Sequence, residues 1–206
     1  MFSTIFNFEL KRWFKNPSFY IFLLLFFILS LLFGAINFGV FDGVTAIRPT
    51  NVYANSPSAL QRLVSAMSLF IYFLLPIIVG SSVYRDFRYN MHTVLFSYPF
   101  SKLDYIAGKF LSSLLVVIVI TLTILLGVEA AKILPSANQD LILPFNAAAY
   151  LQIYLIYVIP NLFFVGVLIF GLVTISRNIA IGFIGVILVF TIQEVLSSFT
   201  QDIDNR

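Results

Sequence analysis

The run Ser18–Phe38, SFYIFLLLFFILSLLFGAINF, contains no charged residue. A helix of about 20 residues rising about 1.5 Å per residue crosses a hydrocarbon core about 30 Å thick. Helix is the expected form, because an open sheet leaves backbone groups unpaired in lipid. Four more apolar segments follow: Ala59–Val83, Ile106–Val128, Tyr150–Thr174 and Ile179–Ser197. Each has a length of about 19–25 residues, enough to span. The dyad alternation of a barrel strand is absent. The expected fold is an all-α polytopic membrane helix bundle. It has an N-terminal interfacial helix, about five transmembrane helices and a helix in the second loop.

Composition agrees. The chain has 206 residues, 60% of them apolar and only 10% charged, with a mean hydropathy of +1.00. Soluble domains carry about 25% charge. Lipid contact and helix packing account for the 24 Phe and 10 Tyr without a ligand. With no cysteine, disulfides and thiolate sites are excluded. No basic cluster lies outside the membrane-flanking segments, so no nucleic-acid partner is expected. The N-terminus does not read as a cleavable signal, because the apolar stretch is too long and lacks a small-residue cleavage site.

Basic residues orient the spans. Lys11, Arg12, Lys15, Arg85, Arg88, Lys102, Lys109 and Arg177 fall on one side, and Arg48, Arg62, Lys132 and Arg206 on the other. Eight against four puts the N-terminus in the cytoplasm. Five spans then leave Arg206 outside. An odd span count with only a short tail after it suggests the front part of a longer protein.

Residues 1–16 read as an interfacial elbow. Phe2, Ile5, Phe6 and Trp13 share one helical face, and Asn7, Lys11 and Lys15 another. A basic amphipathic helix with a Trp lies in the interface plane, and Asn16-Pro17 ends it. The plainer alternative is a basic topology anchor.

The segment 84–105, YRDFRYNMHTVLFSYPFSKLDY, is the largest polar island on the expected cytoplasmic side. Tyr84–Phe96 lacks Pro and Gly and reads as helix, with Arg85, Arg88 and the only histidine, His92, on one face. Pro99 breaks it. Ser101–Asp104 fits a capping box that starts span three. The plainer alternative is an ordinary loop with positive-inside charge.

Catalytic patterns are missing. Gly108-Lys109 lacks the remainder of a phosphate loop, and one histidine cannot build a paired-histidine zinc motif. Every Asp lies in an expected loop or terminus. Arg62, Glu129 and Glu194 lie near span ends, where snorkelling is cheap. Glu129 and Lys132 have the spacing of a local pair. Glu129 and Glu194 remain the candidates for polar groups on a transport path. Pro76 and Pro160 sit inside spans and predict kinks.

The layout resembles the membrane-spanning subunit of ATP-binding-cassette exporters, the ABC-2 permease family. Phe8–Pro17 (FELKRWFKNP) is similar to the family's interfacial elbow. Asn55-Ser56-Pro57, Tyr84-Arg85-Asp86, Thr93–Lys102, Gly108-Lys109-Phe110 and Leu134-Pro135 are similar to Bacteroidetes members, some fused to an M1-type aminopeptidase domain. The resemblance runs over essentially the whole chain. It implies one transmembrane domain, residues 1–206, whose segment 84–105 couples to a separate ATPase. Tyr84, Arg85, Asp86, Arg88, His92 and Pro99 then form the ATPase-contact segment, and Lys11, Arg12, Trp13 and Lys15 the elbow. The implied partners are a cytoplasmic ABC ATPase subunit carrying ATP and Mg²⁺, a second permease half (homo- or heterodimer) and the bilayer. The implied localisation is a bacterial inner membrane. Family members usually have six spans against five here, which supports truncation before a sixth. No peptidase domain is present, so no peptidase activity carries over. The expected function is a permease component of an exporter, non-enzymatic itself and without cofactor or metal. A non-transporting membrane anchor or assembly subunit of a cell-surface or gliding apparatus is the alternative.

Overall fold

A computed structural model describes residues 1–41, 53–90 and 101–204. These residues form an all-α polytopic membrane helix bundle, with no strand among them. The helices are α1 (Phe2–Phe14), α2 (Pro17–Asn37), α3 (Pro57–Arg88), α4 (Lys102–Ala131), α5 (Ala147–Ser176) and α6 (Ile179–Asp204). Five of them, α2 to α6, have a stretch long and apolar enough to cross a bilayer. The chain is therefore a multi-pass, membrane-embedded protein.

Polar caps set the helix starts. Asn16 Oδ1 accepts from Ser18 N at 3.0 Å, with Pro17 opening α2. Proline costs nothing there, since that N–H has no helical acceptor. Asn146 caps α5 and Asn178 caps α6 in the same way. Ser101 Oγ accepts from Asp104 N at 3.0 Å, as its capping role requires.

Two boundaries differ from the sequence reading, and both matter below. Span two does not stop at Val83 but continues as helix to Arg88. Asp86 thus lies on α3 itself and not on a separate helix in the second loop. The expected helix Tyr84–Phe96 is also corrected: the helix ends at Arg88, and Asn90 adopts φ 54°. Asparagine tolerates the left-handed conformation, which closes a helix at the position after its cap. Arg85 and Arg88 precede this break. His92 and Pro99 lie outside the described residues.

Both interior prolines coincide with widened turns. In α3, Pro76–Gly80 is π-helical, and Ser81 N donates to Pro76 O. In α5, the π segment Ile153–Val158 immediately precedes Ile159 and Pro160. A proline has no N–H to give its preceding turn, and a π turn is one way the ladder accommodates the loss.

The chain divides into two units. The first comprises Met1–Glu9, Tyr72–Leu114 and Phe163–Arg206. Its core includes Ile78, Val79, Val83, Val165, Ile169 and Val173. Phe110 there meets Phe163 and Phe170 at ring distances of 5.6 and 5.3 Å.

The second unit comprises Leu10–Ile71 and Leu115–Leu162. Its core includes Phe26, Leu63, Met67, Ile120, Ile124 and Val128. In lipid, apolar burial does not distinguish a neighbouring helix from an acyl chain, so close packing must drive association. Small residues supply it. Ser30 and Gly34 of α2 meet Gly127 and Ala131 of α4, a small residue every fourth position on both helices. A methyl on Gly127 would crowd Ser30 Oγ and lie 2.6 Å from Phe27 O. The connections in this unit are also tied. Asn55 Nδ2 donates to Leu143 O at 2.6 Å, and Leu143 N donates to Asn55 Oδ1 at 2.7 Å. That side chain imitates a strand partner.

Candidate functional site

The first unit contains a buried ionic cluster that begins with α1. Phe2, Ile5 and Phe6 of this helix are half-buried and Trp13 is buried, while Asn7, Lys11 and Lys15 are exposed. The expected amphipathic division holds. Glu9, on the same face as Phe2 and Phe6, is buried as well. An acid on that face needs a protein partner, because burying a lone carboxylate in an apolar medium is prohibitive.

The partner is Lys109, two turns into α4. Lys109 Nζ lies 2.9 Å from Glu9 Oε1 and 2.6 Å from Asp86 Oδ2, and it donates to Ser82 O at 2.7 Å. An ammonium has three N–H donors, and the three acceptors come from α1 and from two successive turns of α3. Tyr105, one turn before Lys109, donates its hydroxyl to Asp86 Oδ2 at 2.6 Å. The ammonium also lies 5.3 Å from the Tyr105 ring centroid. The lysine and glutamate side chains are 5% and 2% exposed, and that of Asp86 is 12% exposed. At such burial the ion pairs escape the screening that weakens surface pairs.

Close approach of backbones makes this possible. Gly108 faces Ile5 of α1, and a Cβ at Gly108 would lie 3.1 Å from Ile5 Cγ2. Glycine beside the lysine lets α1 come near enough for Glu9 to reach it. The result fastens α1, the end of α3 and the start of α4 to one ammonium.

Outside this cluster the exposed charges near the end of α3 and in the α5–α6 turn are basic, and Asp104 in the first turn of α4 is half-buried. Arg88 and Lys102 are exposed, as is Arg177 in the turn between α5 and α6. Arg85 is half-buried, and its Nε donates to Ser81 O at 3.1 Å, one turn back on its own helix. Tyr84 is half-buried and Tyr89 is exposed. Asp86, expected among the contact residues, is buried and pairs with Lys109. Of the described charged residues in the segment, Arg88 and Lys102 are exposed, Arg85 and Asp104 are half-buried, and Asp86 is buried.

The other expected residues are distributed as follows. Lys11 and Lys15 are exposed, and Arg12 is half-buried. Glu129 pairs with Lys132 at 2.6 Å and accepts from the Tyr150 hydroxyl, as its local spacing suggested. Glu194 is exposed on α6, which runs past it to Asp204. Arg62 is exposed near the start of α3. Glu129 belongs to the second unit and Glu194 to the first.

Sequence reasoning gave no site role to Glu9, Tyr105 or Lys109. Two signals were available: an acid on the apolar face of α1, and a lysine beside glycine inside an apolar span. Among the described residues, no group of three or more His, Cys, Asp or Glu side chains is placed to hold a metal ion. In the comparisons with known proteins, no family model, curated protein or solved structure matches this chain.

Proposed function

We propose that this chain is the membrane-spanning permease component of an ATP-binding-cassette exporter, driven by a separate cytoplasmic ATPase subunit. The observation that carries this reading is the attachment of the polar island. α3 leaves its apolar stretch as unbroken helix, is fastened at Ser82 and Asp86 by Lys109, and ends in the exposed Arg88 and Tyr89. A push on that end is delivered to α1 and α4 through short charged contacts instead of being lost in a slack loop.

In this reading the N-terminus and the 84–105 segment face the cytoplasm of a bacterial cell, and the membrane is the inner one. ATP and Mg²⁺ belong to the partner subunit. A second permease half completes the translocation path. Closure of the ATPase pair then favours whichever state of the spans binds it better, since a partner shifts an equilibrium only by its differential affinity.

Co-purification of the ATPase tests the reading. Arg88→Glu is expected to reduce ATPase recovery about tenfold with membrane insertion unchanged, because like charges across an interface repel strongly. Arg85→Glu is expected to do less, since Arg85 bonds its own helix. Undiminished recovery with Arg88→Glu overturns the assignment of this segment.

A further inference from the structure

The connection between α4 and α5, residues 132–146, reads KILPSANQDLILPFN. Two apolar arms, Lys132–Pro135 and Leu141–Phe145, flank a polar tip, Ser136–Asp140. The arms are not folded under the protein. Ile133 is 84% exposed, Phe145 64% and Leu143 36%. Nor are they slack. Asn138 N donates to Phe38 O at 3.0 Å, and Ala54 N donates to Leu141 O at 2.9 Å. Asn55 bonds both backbone groups of Leu143. This fastened backbone keeps the three apolar side chains outward, and contiguous apolar surface of that kind marks an interaction site.

Two observations identify the bilayer as what covers it. The first is depth. In α4, Phe110–Val128 is 19 residues long and carries no charge. At about 1.5 Å per residue it covers about 28 Å, nearly the whole of a hydrocarbon core about 30 Å thick. Glu129 and Lys132 follow it, at the edge of the core. Tyr150, in the first turn of α5, donates to Glu129, so both arms leave from one level. Beyond that edge lies a headgroup layer about 5–7 Å deep.

The second observation is the backbone of the arms. Lys132, Ile133 and Leu134 donate their N–H groups to Glu129 O, Ala130 O and Ala131 O. Leu141 and Ile142 donate to Asn138 O and Gln139 O, and Leu143 to Asn55 Oδ1. Pro135 and Pro144 have no N–H. Every N–H of Lys132–Pro135 and Leu141–Pro144 is thus paired or absent. Water makes no such demand on an exposed loop, whereas lipid does.

We infer that the α4–α5 connection is a lipid-binding element whose two arms lie in the headgroup layer against the acyl boundary while its tip stands in water. The partner is the bilayer surface, irrespective of headgroup charge. Lys132 is the only cation of the connection and is paired with Glu129, so no ammonium is left for a lipid phosphate. Through Phe38 and Ala54–Asn55 the arms also hold the end of α2 and the approach to α3 at that level. The inference rests on the membrane-embedded fold and not on the permease reading.

The chain has no cysteine, so single cysteines report without background. Ile133→Cys, Leu143→Cys, Phe145→Cys and, at the tip, Gln139→Cys are labelled with the fluorophore NBD. The full chain is reconstituted in phosphatidylcholine nanodiscs. Quenching is read with a nitroxide carried on the lipid near the headgroup and with iodide in the water. The expected result is blue-shifted emission at the three arm positions, with strong lipid quenching and little iodide quenching, and the reverse at Gln139. Ile133 carries the result even where Phe145→Cys disturbs Tyr150, on which Phe145 stacks. Arm positions quenched by iodide as strongly as Gln139 overturn the inference. Arm positions shielded from both quenchers are covered by protein, a second copy included, and overturn it as well. Adding phosphatidylglycerol is expected to leave the arm signals unchanged, and lipid quenching that appears only with the anionic lipid overturns the independence from headgroup charge.

Discussion

The cluster around Lys109 and the one around Lys132 are built from the same groups: a lysine, carboxylate and a tyrosine hydroxyl. In the first unit, Lys109 meets Glu9 and Asp86, with Tyr105 donating to Asp86. In the second, Lys132 meets Glu129, with Tyr150 donating to it. The difference is in how they are embedded. Glu9 and Lys109 are 100 positions apart, and both are almost fully buried. Glu129 and Lys132 are one turn apart, and the glutamate side chain is 29% exposed. Lys132 also lies 5.9 and 5.7 Å from the Phe145 and Tyr150 rings, which hold it near a helix end. The same chemistry therefore serves as a tertiary fastening in one place and as a local tidy-up in the other. Charge composition alone does not separate the two cases. Sequence separation and burial do.

The sharpest way to break this comparison is to remove each lysine. Lys109→Met leaves Glu9 and Asp86 buried without their cation and is expected to cost about 3–5 kcal/mol of unfolding free energy. Lys132→Met is expected to cost less, because Glu129 is 29% exposed and can turn to solvent. Both are read by denaturant titration of the purified protein in detergent. Equal losses would mean that embedding does not matter here.

A smaller effect is expected from the hydroxyls. Tyr105→Phe deletes a donor to a buried carboxylate and is expected to cost about 1.5–3 kcal/mol, the range for hydrogen bonds to charged groups. Tyr150→Phe is expected to cost about 0.5–1.5 kcal/mol, because the Glu129 side chain has solvent to turn to. Thermal denaturation of the pair measures the gap, and a reversed order would remove Asp86 from the centre of the cluster.

Salt provides the mildest discrimination. Raising ionic strength from about 0.1 M to 1 M shortens the screening length from about 10 Å to about 3 Å. The stability difference between wild type and Lys132→Met is expected to shrink over this range. The difference for Lys109→Met is expected to stay within measurement error, because solvent ions do not reach the cluster.

These contrasts show which parts of the molecule were legible in its sequence. The five spans were, because lipid imposes one requirement on every spanning residue and a run of apolar side chains states it openly. The caps were legible in part: Ser101 performs the role its spacing predicted. The Glu129–Lys132 pair was legible because its partners are one helical turn apart. The helical form of Tyr84–Arg88 was legible too, but its continuity with span two was not, since the fall in hydropathy at Tyr84 ends the apolar stretch and not the helix. Its end at Arg88 had a local signal, an asparagine at position 90 suited to the left-handed conformation, which the lack of proline and glycine obscured.

The sequence by itself determined that this is an all-helical, multi-pass membrane protein, since the bilayer's thickness and its intolerance of unpaired backbone act on each segment separately. It also determined the two faces of α1 and the polar starts of the helices, which are local properties. Only the tertiary structure decided that Glu9, Asp86 and Lys109 meet, and that Asp86 is buried while Arg88 is exposed. Those facts depend on pairing residues from distant segments, and no periodicity within a segment encodes which distant ammonium will satisfy a buried carboxylate.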